Sequence, residues 1–366
     1  LLLGLLAGPL GAAGQQGRDM AGVPPEIENP RLLGIHKEPA HTALMPYGNL
    51  EEALKGNRKA SSRCLLLNGT WKFHWASWPQ KRPADFYKPG YDVSRWDDIT
   101  VPSNWQVQGY GTPFYSNFNY TFQKDFPRVM STPPANFTAF RERNPVGSYR
   151  RNFTLPENWQ GQRVFLSFEG VDAGFFVWIN GHKAGYSVNS RNVAEFDVTD
   201  YVRPGNNIVA VEVYQYTVGS YLEDQDMWRL SGIFRSVYLW SAPAEHIRDF
   251  RIKTAFDSHY RNADLVVDAH VKNYGKKPLA ERTLDIKLYK GQHAVAGVAA
   301  TAKVPALQPG EEQTVQVSIP VKAPEKWTAE TPELYTTVLQ LGDEILSSAT
   351  GFREVKISGR SLLVNG

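Results

Sequence analysis

Short runs of β-branched and aromatic residues follow one another from "LLLNGTWKFHW" almost to the end of the chain, and turn signals separate them. They include "SYRRNFTL", "RVFLSFEGV", "GFFVWINGHKAGYS", "AEFDVT", "NNIVAVEVYQY" and "FRSVYLW". Runs of this length and composition are strands, and helical periodicity is nearly absent. Asn180-Gly181 lies between two runs as a strong hairpin cue, and Pro204-Gly205-Asn206 marks a further turn. The pattern predicts an all-β fold with a sandwich of jelly-roll type over roughly residues 48–241.

After "SAPAEHIRDF" a second set begins, with "FRIKTAF", "ADLVVDAHVKNYG", "RTLDIKLYKG", "QTVQVSIPV" and "LYTTVLQLGDEIL". About seven strands over 242–356 fit an immunoglobulin-like sandwich without a disulfide. Ahead of both, residues 21–47 are Pro-rich and polar and read as an extended arm, followed by a short helix at "NLEEALKGN". The first twenty residues, "LLLGLLAGPLGAAGQQGRDM", resemble the end of a signal-peptide core with its cleavage region. They are too short, and interrupted by Pro9, to span a bilayer, so the expectation is export, with a bacterial periplasm as destination.

With 366 residues, the chain has room for two or three domains. Its 40 Lys and Arg balance 37 Asp and Glu without a dense basic run, which argues against a nucleic-acid partner. The lone cysteine, Cys64, rules out an internal disulfide and reads as a small buried hydrophobe rather than a nucleophile. No clustered His or paired Cys suggests a structural zinc site. Four Asn-x-Ser/Thr sequons, at Asn68, Asn119, Asn136 and Asn152, are read as chance. Ten Trp, 17 Tyr and 18 Phe fill sandwich cores in the first instance, while some rings could instead be platforms for a sugar face.

The stretch "GSYLEDQDMWRLSGIFRSVYLW" is the one that packing alone does not account for. It places Glu223, Asp224 and Asp226 between two strand-like segments, beside Tyr221 and Trp228. Neighbouring carboxylates repel, and a plain hairpin would use Asn-Gly chemistry. Either arginines hold a solvated acidic turn, or some of the acids serve a ligand. A hard cation wants oxygen ligands and a sugar wants bidentate acceptors, and a turn at the end of a rigid sandwich supplies both. The expectation is that Asp226 faces a site while Glu223 or Asp224 pairs with Arg229, Arg235 or another base.

"VPSNWQVQGYGTPFYSN", "NPVGSYRRNF", "SYLEDQDMWRLSGIFRSVYL", "WTAETPELY" and "GFREVKI" together resemble the N-terminal region of family 2 glycoside hydrolases, in the β-galactosidase branch. The resemblance implies a sugar-binding-like jelly roll, an immunoglobulin-like sandwich, and then a (β/α)8 barrel whose first strand would begin at 357–366. It implies a retaining hydrolase of terminal β-galactosides whose two catalytic glutamates and Mg²⁺ ligands lie in the barrel, so that no catalytic residue falls within this chain. Two positions carry over. Asp226 matches the aspartate that contacts galactose hydroxyls and ligates a Na⁺, and Asn117 matches an asparagine on the same galactose. Phe118 stands where a small apolar residue is expected. Tyr115 and Trp228, two residues from Asn117 and Asp226, are placed at the same mouth by strand alternation, with core packing an equal alternative. The partners implied are a β-galactoside, the barrel of the same polypeptide, and further copies in a homo-oligomer, with no membrane span. Two other readings remain: a stand-alone carbohydrate-binding module with an immunoglobulin-like spacer, and another family 2 specificity such as β-glucuronidase or β-mannosidase.

Overall fold

The computed structural model describes residues 22–117 and 119–366, and among them the chain is built almost wholly of antiparallel strands. The opening apolar residues and Phe118 lie outside the described residues. The first sandwich faces a seven-stranded sheet against a four-stranded one. In spatial order the larger sheet runs Gly34–Ile35, His182–Val188, Gly174–Ile179, Gly205–Tyr214, Val146–Leu155, Gly69–Ala76 and Asp97–Val101. The smaller runs Ala194–Asp197, Arg163–Phe168, Val237–Ala242 and Cys64–Leu66. Trp71, Phe73, Tyr149, Phe168, Val211 and Leu239 fill the space between them. Each such side chain contributes roughly 1.5–3 kcal/mol by leaving water. At the predicted hairpin Ile179 pairs with His182, and Asn180 and Gly181 take φ of 52° and 89°, the left-handed values a two-residue turn requires.

The strand Gly174–Ile179 is buried at every position, which explains why "GFFVWI" reads as a continuous apolar run rather than an alternating one. On its second face Phe176 and Trp178 pack into a smaller core with Val23, Ile27, Phe86 and Phe122, supplied by the N-terminal arm and by loops. The second sandwich packs Glu245–Phe256, Ala263–Asn273 and Glu312–Val321 against a five-stranded sheet. That sheet runs Pro46–Tyr47, Glu344–Thr350, Tyr335–Leu341, Arg282–Lys290 and His293–Val304, around Leu265, Val267, Ile286 and Leu339. A last hairpin pairs Val355–Ser358 with Ser361–Val364 and leaves Ile357 and Leu362 exposed. Among the described residues no helix is long and apolar enough to cross a membrane.

The arm therefore contributes a strand to each sandwich, Gly34–Ile35 to the first and Pro46–Tyr47 to the second. Between these points it is fixed to a buried carboxylate. Glu195 accepts hydrogen bonds from Trp240 Nε1 at 2.7 Å and from Ser167 Oγ, and it faces His41 Nε2 at 2.9 Å. The other ring nitrogen of His41 lies 2.7 Å from the carbonyl of Thr42. Both nitrogens thus face oxygen acceptors, which the doubly protonated imidazolium alone satisfies. Burial works against that charge, but the hydrogen bond and charge of Glu195, the Thr42 carbonyl and Asp249 outweigh it and raise the His41 pKa. Thr42 N–H donates to Asp249 of the second sandwich at 2.9 Å, and Tyr274 Oη donates to Glu38 at 3.0 Å. The short helix Leu50–Lys55 follows, with Asn49 as N-cap and Gly56 in the left-handed conformation at its end.

A raised histidine pKa stabilises the fold below the unfolded value of about 6.5, and that stabilisation is lost as pH rises through the folded value. His41→Ala is expected to cost about 2 kcal/mol near pH 5.5 and less near pH 9, read from urea unfolding at the two pH values. An equal cost at both would contradict an imidazolium clamp.

Candidate functional site

The strand Gly205–Tyr214 leaves the large sheet through Gln215 and Tyr216, where Asn144 brackets the backbone of Tyr216 with bonds of 2.8 and 2.9 Å. A short helical turn, Ser220–Glu223, then presents the acids. Tyr221 points away from them. Its hydroxyl donates to the Arg128 carbonyl at 2.6 Å and accepts from Asp125 N–H at 2.9 Å, and its ring meets Tyr120, Phe122 and Phe126. This aromatic underlay fixes the turn from below.

The chain returns as Met227–Arg229, which pairs antiparallel with Phe114–Ser116. The loop leading into that partner is anchored by Trp105, fully buried against Gly147, where an added Cβ would come within 2.8 Å of the indole. In the ribbon Trp228 lies directly opposite Tyr115, ring centroids 6.2 Å apart, and the two are 59% and 53% exposed. Among the described residues Trp228 is thus not part of a core. Tyr115 Oη donates to Asp226 Oδ1, and this bond to a carboxylate raises the phenol pKa. Asp226 is exposed, and Asn117 is exposed one residue beyond the partner strand. All four residues singled out in the sequence lie on or beside one two-stranded ribbon.

The three acids part company. Glu223 accepts from the backbone N–H of Ser190 at 2.7 Å and from its hydroxyl. Asp224 forms an ion pair with Arg229, with side chains only 8% and 9% exposed. Burial pushes the Asp224 carboxyl up to about 6, against the pull of Arg229. Only Asp226 remains directed outward. Beneath the turn lies a cleft that also takes in Asp172 and Arg191, ion-paired at 3.0 Å. Burial pushes Asp172 up to about 6 as well, opposed by Arg191 and reinforced by Glu223. Sequence reading missed Asp172, Arg191 and Ser190, because "EGVDAGFF" and "NSRN" carry no local signal and reach the turn only through the folded sheet. Arg235, expected as a possible partner for an acid, instead donates to the Arg191 carbonyl at 2.9 Å.

Among the described residues no group of three or more His, Cys, Asp or Glu side chains could hold a metal ion. A Na⁺ at Asp226 would find one outward carboxylate here and would need its remaining oxygens from elsewhere. Other polar side chains of the first sandwich are engaged within the fold. Asp98 pairs with Lys72 at 2.8 Å, Asp97 accepts from Tyr110 at 3.0 Å, and His182 stacks on Tyr201.

Two antiparallel sandwiches stand in series, with an acidic and aromatic ribbon at the end of the first. The family model "Glycosyl hydrolases family 2, sugar binding domain" matches residues 65–243, and "Glycosyl hydrolases family 2" matches 245–353. The chain belongs to glycoside hydrolase family 2, as its N-terminal sugar-binding and immunoglobulin-like domains. A β-galactosidase of Priestia megaterium is 40% identical over 353 residues, covering 94% of this chain and 33% of that protein. One from Halalkalibacterium halodurans is 38% identical over 346 residues, covering 93% and 32%. The chain thus spans about a third of the length of these relatives. A solved β-glucuronidase of family 2 superposes with a TM-score of 0.64 at 21% identity, over 84% of this chain and 32% of that one. A family 2 member from Bacteroides cellulosilyticus gives 0.62 at 23%, over 83% and 38%.

Arg229→Ala leaves Asp224 buried beside no cation and is expected to cost about 3 kcal/mol at pH 7. Because the raised Asp224 pKa means protonation as pH falls through about 6, the cost should shrink near pH 5. Denaturant unfolding of the variant at both pH values checks this; a cost that grows on acidification would refute it.

Proposed function

We propose that this chain is the N-terminal part of a retaining β-galactosidase, and that its ribbon forms one wall of the pocket for the terminal galactose. The observation that carries the reading is the outward convergence of Asp226, Tyr115 and Trp228 on one rigid face, with Asn117 beside them. Relatives named β-galactosidase at 40% and 38% identity support the substrate. In this reading Asp226 accepts from sugar hydroxyls, while Asn117 offers both a donor and an acceptor. Tyr115 holds the Asp226 carboxylate in one orientation, and Trp228 offers an apolar face to the ring.

A Na⁺ bound through Asp226 would add a positive centre for a sugar hydroxyl. Mg²⁺ and both catalytic glutamates belong to a barrel outside this chain, so the chain alone is inactive. Export to a bacterial periplasm and assembly into a homo-oligomer complete the proposal. A β-glucuronidase specificity is the second reading, favoured by the solved structures that share the fold.

The test is hydrolysis of aryl β-galactoside, β-glucuronide and β-mannoside by the full-length protein that carries this chain, with Asp226→Ala beside it. Galactoside turnover is expected to dominate. The variant should lose about 100-fold in kcat/KM, the loss expected when a charge-assisted bond to substrate disappears, together with the response to Na⁺. Dominant glucuronide turnover would replace the substrate. Unaltered galactoside kinetics and an unaltered Na⁺ response in Asp226→Ala would remove the ribbon from the site.

A further inference from the structure

The loops at one end of the first sandwich meet the second sandwich around a cavity of about 500 Å³ that contains none of the acid-turn residues. Its size falls within the range of small-molecule sites, and such sites favour domain seams. One wall is Pro156 and the turn Glu157–Trp159, where Pro156 presents the apolar surface and Trp159, buried behind it, is fixed through Nε1 to the Ser62 carbonyl at 3.0 Å. The facing wall is the 199–205 turn with Val202 and Pro204. It is held rigid by Asn207, whose side chain accepts from Arg203 N–H at 2.9 Å and donates to the carbonyls of Arg203 and Gly205 at 2.7 and 2.9 Å. The second sandwich closes the seam with Ala244 and Lys276, and the Ala244 carbonyl accepts from Tyr274 N–H at 2.8 Å. Both sides are fixed by bonds within the protein, so the space exists before any ligand arrives.

Charge selects the occupant. Arg163 at the wall is neutralised by Asp197. Arg203 and Lys276 have no carboxylate partner among the described residues, and the only acid lining the cavity is Glu157. With Arg203 Nε given to the Asn206 carbonyl at 3.2 Å, its terminal nitrogens and the Lys276 ammonium beside apolar walls suit an anion whose body is planar and apolar. We propose that this seam binds a small aromatic carboxylate, with its ring system against Pro156, Val202 and Pro204 and its carboxylate toward Arg203 and Lys276. The inference does not depend on the galactoside reading, which concerns the opposite set of residues.

Calorimetric titration of the chain with 1-naphthoate tests it. A Kd of roughly 100 μM is expected for so small a ligand in a preformed pocket. The neutral 1-naphthamide should bind about tenfold more weakly, and so should 1-naphthoate to the double variant Arg203→Glu, Lys276→Glu. Both replaced side chains are exposed, and an unchanged Tm certifies the fold of the variant. Asp226→Ala should leave the affinity unaltered. Absence of binding up to about 5 mM, about 50-fold above the expected Kd, overturns the proposal. So does equal affinity for the amide, unaltered affinity in the double variant, or loss of binding in Asp226→Ala.

Discussion

A carboxylate removed from water must be matched by donors or it destabilises everything around it, and Glu195 is matched by three different parts of this chain. Ser167 comes from the middle of the smaller sheet, Trp240 from the last strand before the second sandwich, and His41 from the N-terminal arm. Each donor is therefore held to a common point that none could leave without exposing a buried charge. Around that point the rings close the joint: Phe165 stacks on Trp240 at 4.4 Å, and His246 stacks on Tyr274 at 4.6 Å. His246, buried and pushed down to about 4, acts as a neutral ring, whereas His41 a short distance along the same seam is the charged one. Because the arm donates a strand to each sheet on either side of this point, the two sandwiches are joined by more than the single connection after Ala242.

The same logic, applied to charge, explains the acid turn. Three carboxylates within four residues are tolerable only if their fields are not all left to one another. Glu223 is taken by Ser190 and Asp224 by Arg229, which leaves Asp226 the one directed outward. The two inward acids thus act as anchors, and the aromatic bed under Tyr221 adds a third. What remains above is a short ribbon that cannot easily tilt, with Tyr115 and Trp228 locked by register on one face. A binding residue gains from such a base because less conformational freedom is lost when a ligand arrives.

How much of this was legible in the sequence depends on how far each interaction reaches along the chain. The all-β class, the Asn180-Gly181 hairpin and the short helix after Asn49 rest on neighbours a few residues apart, and local pattern carried them. Alternation places Tyr115 and Trp228 within their strands, but Asn117 and Asp226 lie one residue outside them, where the rule no longer fixes a face. That Tyr115 would lie opposite Trp228, over a hundred residues away, depends on pairing between distant segments that no local window contains. Asp172 and Arg191 stayed hidden for the same reason, and so did Glu195, which reads in "AEFDVT" as one more polar position on a strand. The choice between packing and exposure for Trp228 was undecidable locally, because an aromatic on an alternating strand looks the same whether its face is covered or bare.

The bare face sets a limit on what this ribbon achieves by itself. A small-molecule site buries most of its ligand, typically 70–90% of the surface, and does so by enclosing it. A two-stranded ribbon with one carboxylate and two half-exposed rings could touch a sugar ring from one side only and would leave the other in water. Hydrogen bonds made there compete with solvent and return only about 1 kcal/mol each. The same Asp226, once a second surface excluded water from the opposite side, would act in a lower dielectric and hold a hydroxyl or a cation much more firmly. On the proposed reading the ribbon would be a rigid half of a pocket, oriented beforehand by Tyr115 and the buried acids and weak until a second surface closed over it.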